Sequence, residues 1–341
     1  MPYTLLLVFN LLFVTRGANS FYSKPRVVQD KITRYTRYTR KNPLKCKVKN
    51  IQMIGRYDDS CEFYHVTLSH QQPFPYYEGQ YCTVIPPADP LTCKRFAPRP
   101  YSIANSTTSP TITAQSDSAL DLDNNIELCI RKFINPETNA PGLCSNYLIN
   151  SKLGDTINVA GPFGKLNIRD FLSEPIHTND PTDDRAKHDQ ICSSHSISNT
   201  HKVNIILVAT GTGIAPFRSF YKYLFRSIDS QSLDLFNKLL LIYGVKNEDC
   251  LLYRDELEHL QRNFPGKFNL LKAFSRTSDK RYVQDVIVDN RDFIKSFVDK
   301  NSKVFVCGAK AIVTPIKHAL QKVTDIDVYN QIANNMTIEV Y

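Results

Sequence analysis

One stretch restricts the possible folds more than any other: Val203–Phe217, VNIILVATGTGIAPF. An apolar run of strand composition, Val203–Thr210, gives way at Gly211, Thr212 and Gly213 to a helical pattern with Pro216 in its first turn. A strand that turns on glycines straight into a helix makes a phosphate cradle. The backbone can approach an anionic oxygen closely, and the helix start offers free N–H groups and the positive end of its dipole. Proline is tolerated there because its missing N–H has no helical partner to lose. Phe217, Phe220, Tyr221, Leu224 and Phe225 recur at helical spacing, so one face of this helix packs on a sheet. The dinucleotide fingerprint fails at Pro216, where it needs glycine, and the lysine of a P-loop is absent.

The texture on either side of residue 202 differs. Residues 43–169 carry short alternating segments punctuated by proline and glycine: Tyr64, Val66 and Leu68 against His65 and Thr67; Ile126, Leu128 and Ile130 against Glu127, Cys129 and Arg131; then Ile157 and Val159. Such a pattern predicts an antiparallel barrel or sandwich. Residues 202–341 alternate strand-like runs (Val203–Thr210, Lys238–Val245, Phe268–Phe274, Lys303–Cys307, Met336–Tyr341) with helical patterns such as Tyr253, Leu257, Leu260 and Phe264. That alternation predicts a parallel sheet wrapped by helices, with ligands at the carboxyl ends of the strands. The polar segments 106–125 and 170–201 read as a loop and a linker. Four histidines in the second, at 177, 188, 195 and 201, lack metal-ligand spacing, so no metal is expected.

Leu5–Val14 is apolar but too short to span a bilayer, and small residues follow it at Gly17, Ala18 and Ser20. Residues 1–20 read as a signal peptide, and 21–42 as a basic, hydroxyl-rich transit segment. Two leaders in series imply a plastid reached through the secretory pathway; secretion with a basic propeptide is the other reading. The formal net charge of +9 resides in the first 50 residues, with 11 Lys and Arg against 1 Asp, and the remainder holds 31 basic and 32 acidic residues. The body is thus near neutral, which argues against a nucleic-acid or membrane partner for the mature chain. Nine scattered cysteines offer no zinc or iron–sulfur spacing and read as small core residues. Redox work by such a chain needs a borrowed, non-covalent cofactor.

At the tip of the third parallel strand stand Ser275 and Arg276, followed by Lys280, Arg281, Tyr282 and Gln284. A hydroxyl, a guanidinium fork and further cations suit a phosphate monoester, and Tyr282 offers a ring for adenine. An NAD site would instead place a carboxylate at a strand end, whereas Lys246 and Asn247 precede the first acid after the second strand, so NADP is favoured. In the first half, Arg99-Pro100-Tyr101-Ser102 joins a phosphate-pairing cation, an aromatic plate and a small hydroxyl, the set a flavin requires. Gly142-Leu143-Cys144-Ser145 has the composition of a helix start that can meet a phosphate.

RPYS at 99–102, LCIRK at 128–132, GLCSNYL at 142–148, GPFGK at 161–165, GTGIAPFRSF at 211–220, LLYRDEL at 251–257, SR at 275–276, YVQ at 282–284, VFVCG at 304–308 and IEVY at 338–341 occur in one order. In that order the chain resembles the plant-type ferredoxin–NADP reductases over about residues 43–341, and its leader resembles that of an apicoplast-type member. Pro100 stands where the family usually carries leucine or another residue, and the insertions at 106–125 and 170–201 are long.

The resemblance implies FAD in a barrel domain, NADP(H) in the α/β domain, and an acidic iron–sulfur ferredoxin docked over the cleft between them. It implies that Arg99, Tyr101, Ser102, Cys129, Ile130, Arg131, Gly142, Leu143, Cys144 and Ser145 surround the flavin nucleotide. Thr212, Gly213, Pro216, Ser275, Arg276, Arg281, Tyr282, Gln284 and Gly308 are implied to surround NADP(H). Ser102 would hydrogen-bond the flavin nitrogen, Cys307 would hold the nicotinamide in line, Glu339 would relay a proton, and Tyr341 would cover the flavin face until the nicotinamide displaces it. Arg131 and Lys132 would also meet an acidic ferredoxin surface. A related reductase serving a cytochrome or flavodoxin, and a non-catalytic flavin sensor, are the other readings.

Overall fold

A computed structural model describes residues 37–89, 91–107, 124–135, 137–172, 202–226 and 235–340. The signal segment, most of the transit segment and of the two insertions, the four linker histidines, Cys192 and Tyr341 lie outside the described residues.

The N-terminal half contains the expected short strands. β1 (Leu44–Asp58), β2 (Cys61–Ser69), β3 (Tyr81–Ile85), β4 (Arg99–Ser102), β5 (Asn125–Arg131) and, beyond α1 (Leu143–Ile149), β6 (Thr156–Phe163) form one antiparallel sheet in the order β4-β3-β6-β1-β2-β5. Just past β4, Ile103 bridges Leu128 and the Ala104 N–H donates to the Glu127 carbonyl at 2.8 Å, joining the two ends of the sheet into a barrel. Val66, Leu68, Ile126, Leu128 and Ile130 fill its interior as their alternation predicts. The opposite set on β2, His65 and Thr67, is buried too, because the second half of the chain covers that face. Residues 38–42, placed in the leader by composition, pack on the barrel. Tyr38 exchanges backbone hydrogen bonds with Gly161 (3.1 and 3.0 Å), and its ring lies 6.0 Å from that of Phe74.

The second half is reached through α2 (Ile168–Leu172), so Asp170, Phe171 and Leu172 are helical where a linker is expected. The reason is packing: the Phe171 ring meets Phe305 edge-on at 5.0 Å, a contact worth about 0.5–1.5 kcal/mol beyond burial. Then follow β7 (Ile205–Thr210), a single 3₁₀ turn (Gly211–Gly213), α3 (Ile214–Leu224), β8 (Leu239–Val245), α4 (Arg254–Asn263), β9 (Phe268–Phe274), α5 (Val283–Asp289), α6 (Arg291–Phe297), β10 (Lys303–Gly308), α7 (Val313–Val323), α8 (Ile326–Asn334) and β11 (Thr337–Val340). The five strands are parallel in the order β11-β10-β7-β8-β9.

Both faces of this sheet are covered, which is why β7 and β8 read as nearly unbroken apolar runs. Leu207 and Ala209 face α3, whose Phe217 and Phe220 are buried as the helical spacing predicts. Ile206 and Val208 face α5–α7. The α3-side cluster continues into the barrel through Phe63, Ala104 and Cys129, so the two halves share apolar core. Among the described residues no helix is long and apolar enough to cross a membrane.

Candidate functional site

The glycine turn sits where β7 ends. Gly211 adopts φ +53°, with nothing within 4 Å of where a Cβ would stand. Tyr243, fully buried, donates its hydroxyl proton to the Gly211 carbonyl at 2.9 Å and fixes the turn from below. Gly213 is a different case from the turning glycine its sequence suggests. Its φ is an ordinary −61°, and a Cβ there would lie 2.6 Å from the Cys307 carbonyl carbon. It is glycine because β10 passes too close for a side chain.

Around this turn opens a cleft of about 410 Å³ at the carboxyl ends of β7, β8 and β9. Thr212, Ser275, Arg276, Arg281, Tyr282 and Gln284, far apart in sequence, all line it. Ser275 is held by its hydroxyl and N–H, which donate to the Val245 carbonyl at 3.2 and 3.0 Å, and Arg276 donates to the Ser275 carbonyl at 2.9 Å. The Lys280 ammonium lies 5.2 Å from the Tyr282 ring centroid, and Lys280 first, then Arg276, pull the Tyr282 phenol below the usual tyrosine range. Neither cation pairs with a carboxylate among the described residues. Arg281 differs, since Asp279 (3.3 Å) and Asp289 (3.1 Å) already neutralise it. Two unneutralised cations near a phenol, with a turn that has open space above its first glycine, fit a nucleotide phosphate.

The barrel supplies the facing wall with Cys61, Phe63 and Arg131. Arg131 therefore stands in this cleft, while Lys132 is taken up by Glu62 at 2.9 Å. Lys246, used in the sequence only to argue against a carboxylate at that strand end, lines the same cleft and lies 4.3 Å from the Tyr57 ring centroid. Its place at the tip of β8 was the available signal.

Pro216, Cys307 and Gly308 stand behind the cleft. Pro216 is inside α3 and its carbonyl accepts the Ser219 hydroxyl at 2.6 Å; Gly308 leaves room for the Thr210 side chain. Cys307 is 3% exposed, and burial, with the Glu339 charge, pushes its thiol well above the ordinary range. It is a packing group and no nucleophile. Glu339 pairs with Cys307 in the β10–β11 register, and burial raises its carboxyl to about 7.

A second group gathers on the barrel. Arg99, Tyr101 and Ser102 form β4, which over that length pairs, among the described residues, only with β3. Arg99 is exposed with no carboxylate partner among the described residues, and Tyr101 and Ser102 are half-buried. An open strand edge bearing a free guanidinium, a ring and a hydroxyl fits a flavin nucleotide. Gly142 caps α1; Leu143 is exposed; the Ser145 hydroxyl accepts the Phe133 N–H at 3.3 Å. Cys144 is buried against Tyr101. Ile130 turns its side chain into the barrel core, leaving its backbone for any ligand, and Cys129 is buried beside Tyr253, its thiol raised by burial to about 12.

Comparison with known proteins agrees with this division. The family model for the oxidoreductase NAD-binding domain matches residues 207–318. The chain is 32% identical over 302 residues to the chloroplastic ferredoxin–NADP reductase of Chlamydomonas reinhardtii, covering 84% of this chain and 74% of that protein. It is 29% identical over 348 residues to the apicoplast ferredoxin–NADP reductase of Plasmodium falciparum, covering 89% and 83%. The crystal structure of ferredoxin–NADP+ reductase from Plasmodium falciparum with 2′P-AMP superposes with a TM-score of 0.63 at 28% identity, covering 89% of this chain and 98% of that one. By fold, motif order and similarity across most of its length, the chain belongs to the ferredoxin–NADP reductase family.

Proposed function

We propose that the protein is an oxidoreductase that carries electrons between NADP(H) and a ferredoxin by way of bound FAD. The observation that carries this reading is the unneutralised Arg276 in the cleft beside the glycine turn, with Tyr282 next to it and Lys280 against the Tyr282 ring, because that chemistry distinguishes a 2′-phosphate from a ribose hydroxyl. Bound FAD supplies a centre that exchanges a hydride with nicotinamide and single electrons with an iron–sulfur protein. Arg99, Tyr101 and Ser102 bind and orient it. Thr212 and the cradle hold the NADP(H) pyrophosphate, Arg131 closes on it from the barrel, and Ser275, Arg276 and Tyr282 hold the adenosine end. Cys307, behind the cleft, packs as a neutral thiol while its backbone backs the Gly213 turn. Its place in the cleft suits Arg131 to the nucleotide better than to ferredoxin.

Arg276→Ala tests the nucleotide assignment. It is expected to weaken NADPH by about 1.5–3 kcal/mol, the scale of a charge-assisted hydrogen bond, and to leave NADH nearly unchanged. Equal losses for both nucleotides in a titration would remove the assignment.

Glu339 is proposed to hold the proton exchanged near Ser102. A carboxyl raised to about 7 by burial is protonated below that pH and charged above it, so the supply of protons falls as pH rises through 7. Glu339→Gln is expected to remove the inflection near pH 7 from the pH–rate profile. An unchanged inflection would assign it to another group.

Relatives in chloroplast, cyanelle and apicoplast indicate a plastid location. The proposed route is a signal peptide followed by a transit segment, and the proposed direction in a non-photosynthetic plastid is NADPH to ferredoxin. A fluorescent protein carrying residues 1–50 should label the plastid; label in the medium would favour a secreted chain with a propeptide.

A further inference from the structure

Resting on the function proposed above, we infer that Arg218 is a positioning residue that fixes the nucleotide cradle against the strand end carrying Ser102. Arg218 lies on α3, five residues beyond Gly213, so cradle and guanidinium belong to one rigid piece. It is 5% exposed. Within its own half it grips Glu256 of α4, with Nε to Oε2 at 2.9 Å and Nη2 to Oε1 at 2.6 Å. Its remaining nitrogen crosses to the barrel. Nη1 donates to the Ala104 carbonyl at 3.0 Å and to Glu127 Oε2 at 2.5 Å. Ala104 is two residues beyond Ser102, and its own N–H is bonded to the Glu127 carbonyl. One side chain thereby ties the element that presents the nucleotide to the element that presents the proposed flavin contact.

The groups packed around Arg218 hold it in place. The Tyr253 ring centroid is 4.5 Å from the guanidinium, and the Tyr253 hydroxyl is 3.1 Å from His65 Nδ1 on the barrel. His65 Nε2 in turn lies 3.5 Å from Glu127 Oε2. Tyr253 itself adopts φ +58° at the start of α4. A left-handed conformation costs a residue with a side chain roughly 1–2 kcal/mol, and it persists where neighbouring contacts over-determine it. Burial alone would raise the Glu256 carboxyl; hydrogen bonding and charge from Arg218 outweigh it and hold the group below its usual range. A lysine cannot reproduce the bridge, because a single ammonium cannot present the same planar fork to both halves at once. Hydride transfer is sensitive to such a tie, since a misplacement of ~1 Å can cost ~100-fold in rate.

The test uses the full chain with FAD bound and compares wild type with Arg218→Lys and, separately, Glu127→Gln, which keeps the Arg218–Glu256 pair. Each is probed with 2′-phospho-AMP, for flavin content, for the rate at which NADPH bleaches the flavin, and for amide exchange at 104–105 and 127–129. The expected result is 2′-phospho-AMP affinity within about twofold of wild type, full flavin content, faster exchange at those amides, and bleaching slowed about 10- to 100-fold, the scale of a sub-ångström to ångström misplacement. A merely stabilising Arg218 would leave the bleaching rate intact in variants that fold. Wild-type bleaching and wild-type exchange in either folded variant would overturn the inference; if Arg218→Lys does not fold, Glu127→Gln decides it. A wild-type chain that NADPH fails to bleach would instead contradict the proposed function, a result distinguishable because it precedes any substitution.

Discussion

Gly213→Ala is expected to destabilise the protein by about 3 kcal/mol or more, at or above the upper end for forcing extra volume into a packed site. The added methyl would stand against the Cys307 carbonyl group, 2.6 Å from its carbon and 3.1 Å from the Gly308 nitrogen, all of it backbone in the middle of the sheet. No side-chain rotation relieves that clash, so β7 or β10 must move. Thermal unfolding reads it as a fall in Tm of roughly 5–10 °C. Gly211→Ala is the informative contrast. Its φ of +53° costs an alanine roughly 1–2 kcal/mol, but open space surrounds the new methyl in the free protein. That space is where the nucleotide phosphate is proposed to lie, so NADP(H) affinity should fall more than tenfold while the fold survives. A stable Gly213→Ala protein, or a Gly211→Ala protein with normal NADP(H) affinity, would contradict the division of labour between the two glycines.

Ser102→Ala is expected to keep its flavin and to slow flavin bleaching by NADPH about 100-fold, the scale seen when a single positioned donor is removed from a reacting centre. Folding should be little affected, because Ser102 is half-buried at the end of an edge strand and its backbone pairing with Tyr81 does not need the hydroxyl. Stopped-flow absorbance measures the rate, and the flavin-to-protein ratio controls for loss of cofactor. A rate within threefold of wild type would remove Ser102 from the reaction and leave it as a strand residue.

The sequence made the second half of the molecule readable because its signals are local. An unbroken apolar run such as Ile205–Thr210 followed at once by Gly211 and a helical stripe can hardly be anything other than a buried parallel strand entering a phosphate-binding turn. The cations at Arg276 and Lys280 were legible for the same reason, since they cluster within a few residues of one strand end. What was not legible depends on contacts between distant residues. Gly213 looks like a turning glycine beside Gly211, yet its need is set by Cys307, a neighbour only in space. Arg218 sits next to the apolar face of α3 and carries no sequence mark of burial. Its partners Ala104, Glu127 and Glu256 lie 114, 91 and 38 residues away. His65 and Thr67 read as the polar side of an alternating strand, which is correct for the barrel alone; the α/β half then covers them. Composition does not mark Tyr38 and Phe171, because a basic or polar neighbourhood says nothing about the single ring that anchors it.

Reduction of a plant-type ferredoxin by NADPH through this chain tests the central claim most directly. Purified with its flavin, the protein is expected to show FAD absorbance, to bleach with NADPH far faster than with NADH, and to pass the electrons on, so that ferredoxin is reduced catalytically and salt slows the step by screening the docking charges. A protein that binds no flavin, or whose flavin NADPH reduces without any onward transfer to ferredoxin, would contradict it.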